Sequence, residues 1–152
     1  MKRRAFLSNL GATGLGLSLF QKTVAGNLAV TGATGRVVVV GGGMAGTTAA
    51  KFLRFWGGTG MDVTLVEPNA TYYSNIFSNK VLTGEKTLSQ LGYTYSTLAT
   101  KYGVKVINSS VSSVDKSAKI VTLANGNTLS YDRLILATGI DFEPIPNFTG
   151  TD

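Results

Sequence analysis

The sequence predicts an α/β domain in which helices pack on a parallel sheet and an antiparallel β-meander is inserted between two of its strands. Three observations support this prediction. A valine run, Arg36–Val40, leads directly into glycines and then into a stretch with helical spacing. A second apolar run, Asp62–Val66, is followed at once by an acid. Farther along, short alternating runs are joined by Asn125-Gly126, a typical hairpin turn.

The composition indicates a globular chain and excludes several kinds of chemistry. The 152 residues include no histidine and no cysteine, so the chain provides no His general base, no Cys nucleophile, no disulfide and none of the usual zinc ligands. We therefore predict no metal site, and redox chemistry would need a bound cofactor. The net charge is +6, but four of the fourteen cations lie in the first 22 residues. The others interleave with acids, so we predict no nucleic-acid partner.

The N-terminus has the pattern of an export signal. A basic start is followed by the apolar stretch Leu10–Phe20 and by the small residues Thr23–Ala25. Eleven apolar residues are too few to cross roughly 30 Å of hydrocarbon, so we predict a cleaved signal over residues 1–25 and no stable membrane anchor. Arg3-Arg4 resembles a twin-arginine signal, which implies a periplasmic protein exported after folding; an ordinary secretory signal is the alternative. Residues 26–35 are predicted to be a linker.

A glycine motif follows the first predicted strand. Gly41, Gly43 and Gly46 have the G-x-G-x-x-G spacing, and the order is strand, turn and helix. The first glycine permits the tight turn, the second leaves room for a diphosphate, and the third lets the helix pack closely. The N–H groups at the start of the helix, near Met44 and Ala45, attract phosphates. This pattern predicts a Rossmann-like dinucleotide site.

An acid at the end of the second strand strengthens this prediction. Glu67 comes 21 positions after Gly46 and precedes Pro68-Asn69. A carboxylate at this place accepts hydrogen bonds from both ribose hydroxyls of an adenosine and repels a 2′-phosphate, so NADP is disfavoured. The alternative is a solvated acid beside an ordinary βα turn.

The order of the later elements favours FAD over NAD. A helical stretch near Leu88–Tyr102 and a strand at Val104–Ile107 are followed by short runs at Ser109–Val114, Ala118–Leu123 and Asn127–Ser130. Their alternation predicts an antiparallel meander. A meander at the position of a helical crossover is typical of the FAD domain in flavoproteins with two dinucleotide domains.

The meander leads into a last apolar run, Tyr131–Gly139, which we predict to be a buried strand. It ends in Ala137-Thr138-Gly139, whose small residues permit a close approach of the backbone to FAD. The alternative is a buried strand that simply stops at a turn glycine.

Residues 36–148 resemble the flavoprotein subunit of flavocytochrome c sulfide dehydrogenases and, more distantly, sulfide:quinone reductases, which are FAD-dependent pyridine nucleotide-disulfide oxidoreductases. The resemblance is carried by Val37–Gly43, Thr64–Asn69, Tyr72-Tyr73, Ser78-Asn79, Tyr131–Arg133 and Gly139-Ile140. It implies that sulfide or a related sulfur compound reduces the flavin through a cysteine pair, and that electrons pass to a cytochrome c subunit.

The resemblance also implies that the chain is truncated, with the cysteine pair and a second nucleotide domain beyond Asp152. We expect residues 36–152 to form the N-terminal part of an FAD-binding domain that is inactive and poorly folded alone.

The predicted FAD-binding residues are Gly41, Gly43, Met44, Ala45, Gly46, Glu67, Pro68, Asn69, Asn75, Val111, Ala137, Thr138 and Gly139. No catalytic residue is predicted. The alternatives are an FAD/NAD-linked reductase of other specificity and a truncated nucleotide-binding module without catalysis.

One departure from the family predicts how the flavin is attached. Asn75 stands where the best-known members carry a cysteine linked to the flavin. Because an amide cannot form that thioether, we expect non-covalent FAD. After acid precipitation of the purified protein the flavin should stay in the supernatant, and flavin in the washed pellet would show the prediction to be wrong.

Overall fold

A computed structural model describes residues 33–140. The predicted signal peptide, most of the predicted linker and residues 141–152 lie outside the described residues. The elements, in chain order, are β1 (Gly35–Val40), α1 (Met44–Gly57), β2 (Met61–Val66), β3 (Thr71–Tyr73), α2 (Ser78–Leu82), β4 (Gly92–Thr94), α3 (Ser96–Tyr102), β5 (Lys105–Ile107), β6 (Val111–Asp115), β7 (Ile120–Leu123), β8 (Thr128–Ser130) and β9 (Arg133–Leu136), with 3-10 turns at Gly58–Gly60 and Leu88–Leu91.

Within residues 33–140 the central sheet has four parallel strands in the order β5-β2-β1-β9. The valine run of β1 lies in its middle and is buried on both faces, as its lack of alternation predicts. Val37 and Val39 pack against Ala50 of α1 and Leu98 of α3 on one face. Val38 and Val40 pack against the meander on the other face. The domain therefore has three layers, which are helices, sheet and meander, and the predicted α/β class is confirmed.

The inserted meander is the layer that the short alternating runs predict. β6 pairs antiparallel with β7, and β7 with β8. Gly126 has a φ of +84°, and Asn125 Oδ1 accepts a hydrogen bond from the Asn127 N–H, so the Asn-Gly pair makes the turn between β7 and β8. Val121 and Leu123 of β7 are buried against the parallel sheet.

The predicted helix near Leu88–Tyr102 is wrong in its first half. That half contains the 3-10 turn Leu88–Leu91 and the strand β4, and α3 begins only at Ser96. Gly92 is unfavourable in a helix interior, whereas Tyr93 and Thr94 favour strands. The antiparallel pairing of β4 with β3 stabilises the extended backbone, and this distant partner is not visible in the local pattern.

Two further expectations need correction. The last apolar run was expected to be a buried strand, but β9 pairs only with β1 within residues 33–140 and lies at the edge of the sheet. Leu134 and Ile135 are half-buried, and Leu136 is 65% exposed. The predicted linker reached residue 35, whereas β1 begins at Gly35 because this residue already pairs with Met61.

Between residues 33 and 140, no helix is both long enough and apolar enough to span a bilayer.

An ion pair connects the start of β1 to the residue before β9. The Arg36 backbone N–H donates to Asp132 Oδ2 at 2.7 Å, and its guanidinium donates to Asp132 Oδ1 at 3.1 Å. Hydrogen bonds from the Arg36 side chain and backbone lower the pKa of Asp132 from its ordinary 3.8 to about 2. The stability that this pair provides is therefore present above pH 4 and is lost as the pH falls toward 2.

We expect Asp132→Asn to lower the unfolding temperature of the intact protein at neutral pH. The difference from the wild type should shrink as the pH falls from about 4 to about 2, because the wild-type carboxyl then becomes neutral as well. Thermal unfolding followed by circular dichroism at several pH values measures this. Glu85→Gln, which removes a carboxylate paired with Lys80 at 3.0 Å elsewhere on the surface, is the control. A difference that persists undiminished at pH 2 would contradict the assignment.

Candidate cofactor-binding site

The glycine turn after β1 requires glycine at its first position. Gly41 has a φ of +102°, which favours glycine. Its N–H donates to the Val66 carbonyl at 2.9 Å, and a Cβ at this position would collide with the backbone carbonyl of Ala137. The turn is therefore packed between the ends of β2 and β9.

The other two motif glycines have opposite surroundings. A Cβ on Gly46 would collide with the carbonyl oxygen of Gly41, so α1 packs directly on the turn. A Cβ on Gly43 would have no atom of residues 33–140 within 4 Å, apart from its neighbours in the chain. Gly43 is the N-cap of α1 and carries no side chain that could cap the helix. The first N–H groups of a helix have no partners within it, and together with the helix dipole they attract an anion. The open side of Gly43 is thus a suitable place for a phosphate.

Glu67 is held firmly at the end of β2 and is buried. Its Oε2 accepts a hydrogen bond from the Gly42 N–H at 2.6 Å. Its Oε1 accepts from the backbone N–H of Asn69 at 2.9 Å and from the Asn69 amide at 2.8 Å. The Asn108 amide donates to the carbonyls of Glu67 and Pro68 at 3.0 and 2.7 Å. The carboxylate is fixed from both sides before any ligand arrives.

A cleft of about 450 Å³ opens beside this carboxylate. It lies at the carboxyl ends of the parallel strands, where β2 and β5 are on one side of β1 and β9 is on the other. Ligands of open parallel sheets bind at such a switch in strand order. The volume is within the usual range for ligand pockets. The lining residues are Val40, Gly41, Val66, Glu67, Pro68, Asn69, Ser109, Ser110, Val111, Leu136 and Thr138.

The structure brings most of the predicted cofactor-binding residues to this cleft or to the helix start above it. Those that line the cleft are Gly41, Glu67, Pro68, Asn69, Val111 and Thr138. Those in or beside the turn and the first turn of α1 are Gly43, Met44, Ala45, Gly46 and Ala137. Gly139 follows β9 with a φ of +76° and is exposed. Asn75 is exposed in the segment between β3 and α2 and does not line the cleft.

Sequence reasoning missed several residues of the site. Ser109 and Ser110 line the cleft, and the side-chain amide of Asn108 donates a hydrogen bond to the backbone carbonyl of Glu67. Polar residues directly after the predicted strand Val104–Ile107 were a usable signal, because the carboxyl ends of parallel strands meet at one edge. Tyr95 donates to the Gly42 carbonyl at 3.1 Å, and no local pattern indicates this contact.

The fold and this site define a dinucleotide-binding α/β protein. Residues 35–151 match the pyridine nucleotide-disulphide oxidoreductases, and the chain belongs to this family. This is a family of FAD-binding flavoproteins, which confirms the predicted FAD cofactor. The residues present suit that group, since the turn has an open side at Gly43 and a buried acid stands beside the cleft.

Similar proteins include several oxidoreductases. Ferroptosis suppressor protein 1 of Taeniopygia guttata is 32% identical over 70% of this chain and 27% of that protein. The rubredoxin-NAD(+) reductase of Pseudomonas putida is 32% identical over 68% of this chain and 27% of that protein. The X-ray structure of the sulfide:quinone oxidoreductase from Aquifex aeolicus matches with a TM-score of 0.61 and 27% identity, over 70% of this chain and 24% of that one. The chain spans about a quarter of the length of these proteins.

The contrast between two glycines gives a test of the site. Gly43→Ala should leave the unfolding temperature of the apoprotein unchanged, because its Cβ would contact none of the described residues beyond its two neighbours in the chain. It should weaken FAD binding about tenfold or more, because the added methyl group keeps the diphosphate away from the N–H groups and a hydrogen bond to a charged group contributes roughly 1.5–3 kcal/mol. Gly46→Ala should instead lower the unfolding temperature itself. Calorimetry and flavin fluorescence titration measure both effects, and unchanged FAD affinity in Gly43→Ala would contradict the assignment.

Proposed function

We propose that this chain is the FAD-binding part of a flavoenzyme that oxidises sulfide or a related sulfur compound and passes the electrons to a cytochrome c. The flavoenzyme assignment rests on one observation: the glycine turn is hydrogen-bonded to the buried Glu67, and both lie at the same cleft. The sulfur substrate is supported by the family resemblance of the quoted motifs and by the similarity to the Aquifex aeolicus sulfide:quinone oxidoreductase.

Each part of the site has a separate task in this proposal. The N–H groups at the start of α1 hold the diphosphate on the open side of Gly43. Glu67 accepts hydrogen bonds from the ribose, and its charge disfavours a 2′-phosphate. Ser109, Ser110 and Val111 bound the part of the cleft beside the meander. Thr138 and Gly139 bring the backbone after β9 toward the cofactor.

Bound FAD would supply the group that accepts the electrons. Attachment is non-covalent in this proposal, because Asn75 provides an amide and the chain contains no cysteine. The cysteine pair that the family resemblance implies for the reaction with sulfide would then belong to another part of the protein. None of residues 33–140 is assigned a catalytic role.

We also propose a periplasmic location. The support is the sequence of residues 1–25, with Arg3-Arg4 before an apolar stretch of eleven residues. Export of a folded protein by the twin-arginine route suits a cofactor that must be bound before export. A cytochrome c partner in the periplasm would then be a suitable acceptor.

A second candidate is an FAD/NAD-linked reductase of other specificity. It is favoured by the 32% identity to the rubredoxin-NAD(+) reductase of Pseudomonas putida. The export signal proposed above speaks against it, because reduced nicotinamides are scarce outside the cytoplasm. The two candidates differ in the compound that reduces the flavin.

We expect sulfide to bleach the flavin absorbance of the anaerobic protein expressed from its whole gene, and NADH to leave it unchanged. Reoxidation by added cytochrome c would restore the flavin spectrum. Bleaching by NADH but not by sulfide would instead establish the second candidate. Bleaching by neither compound would contradict both and favour a nucleotide-binding module without catalysis.

A further inference from the structure

Two side chains from distant elements hold two neighbouring peptide groups of the glycine turn. The carboxylate of Glu67, at the end of β2, accepts from the Gly42 N–H at 2.6 Å. The hydroxyl of Tyr95, directly before α3, donates to the Gly42 carbonyl at 3.1 Å. Both hydrogen bonds are buried. The middle glycine of the turn is thus held by both its donor and its acceptor.

The Tyr95 contact has a consequence on the opposite side of the same peptide. A peptide group is planar and trans, so its C=O and N–H point in opposite directions. The carbonyl of Gly42 and the N–H of Gly43 belong to one such group. When the carbonyl is fixed on Tyr95, the Gly43 N–H is directed away from Tyr95. Among residues 33–140, and apart from Gly43 and its two neighbours in the chain, no atom lies within 4 Å of the Cβ position of Gly43.

Tyr95 is well suited to this contact. Its side chain is 7% exposed in the core beneath the helices. Burial raises the pKa of Tyr95 to about 12, with further contributions from the charge of Glu67 and from Tyr72, so the hydroxyl remains a donor at physiological pH.

The arrangement also explains why the variable position of the motif is glycine in this chain. A Cβ on Gly42 would lie 2.6 Å from Tyr95 Oη and 2.7 Å from Glu67 Cγ, and atoms cannot approach so closely. The G-x-G-x-x-G spacing does not require glycine at this place. Gly42 is therefore matched to the two side chains that hold it.

We propose that Tyr95 is a positioning residue for the cofactor, whose hydroxyl orients the Gly42–Gly43 peptide so that the Gly43 N–H donates to the FAD diphosphate. The inference rests on FAD binding and not on the proposed sulfur substrate. A failure of sulfide to reduce the flavin would leave it untouched.

The test compares ligands with and without the diphosphate. Apoprotein from the whole gene is titrated with FAD, ADP and adenosine, as the wild type, Tyr95→Phe and Tyr131→Phe. Tyr131 is the matched control, since it is also 7% exposed and its hydroxyl also contacts a backbone carbonyl, that of Asp115 in the meander. Tyr95→Phe should weaken FAD and ADP binding about two- to tenfold, as expected for one lost hydrogen bond, and leave adenosine binding unchanged. Tyr131→Phe should change none of the three.

Equal losses for all three ligands in Tyr95→Phe would show a general structural role and overturn the proposal, as would no loss for any. A second measurement uses only the wild type and therefore does not depend on the variant folding. In ¹⁵N-glycine-labelled apoprotein, the Gly43 amide resonance should move on addition of ADP and stay in place with adenosine. A Gly43 amide resonance whose chemical shift does not change on addition of ADP would also overturn the proposal.

Discussion

A hydrogen bond of 2.6 Å between the Gly42 N–H and the Glu67 carboxylate joins the glycine turn to the second strand, and the rest of the site depends on it. Hydrogen bonds to an ionised acceptor are shorter and stronger than neutral ones, and this one is buried. It fixes the distance between the start of α1 and the acid at the end of β2. The diphosphate and the ribose of one nucleotide need these two groups at a constant separation, so a single contact sets the geometry for both.

The layers of the domain keep that contact in place. The parallel pairing of β1 with β2 brings Val40 level with Val66, and the next residues of the two strands are Gly41 and Glu67. Helices on one face and the meander on the other bury the valines of β1, of which none is more than 8% exposed. β9 then brings the Ala137 carbonyl against Gly41, so the turn is bounded on both sides. The strand order thus places the cleft, and the contact of Glu67 with Gly42 fixes the acid beside it.

The parts that the sequence predicts well are those with local causes. The unbroken valine run, the spacing from Gly41 to Gly46 and the Asn125-Gly126 turn each act through neighbours in the chain, and the structure contains the predicted elements at all three. The strand at Gly92–Thr94, where a helix was predicted, depends on β3, a partner about twenty residues earlier in the chain. The role of Tyr95 could not be predicted for the same reason, because Tyr95 and Gly42 are 53 positions apart in the sequence. The local sequence pattern contains no information about which residues far apart in the chain will pair.

The chain contains an FAD-binding domain of the pyridine nucleotide-disulphide oxidoreductase family, organised around one acid and one turn. A crystal structure of the flavin-loaded protein would test this arrangement of acid and turn. We expect the Glu67 carboxylate within about 3.2 Å of both hydroxyls of the adenosine ribose, with the diphosphate beside the Gly43 N–H. A Glu67 side chain turned away from the ribose, or a diphosphate bound elsewhere in the protein, would contradict this arrangement of the site.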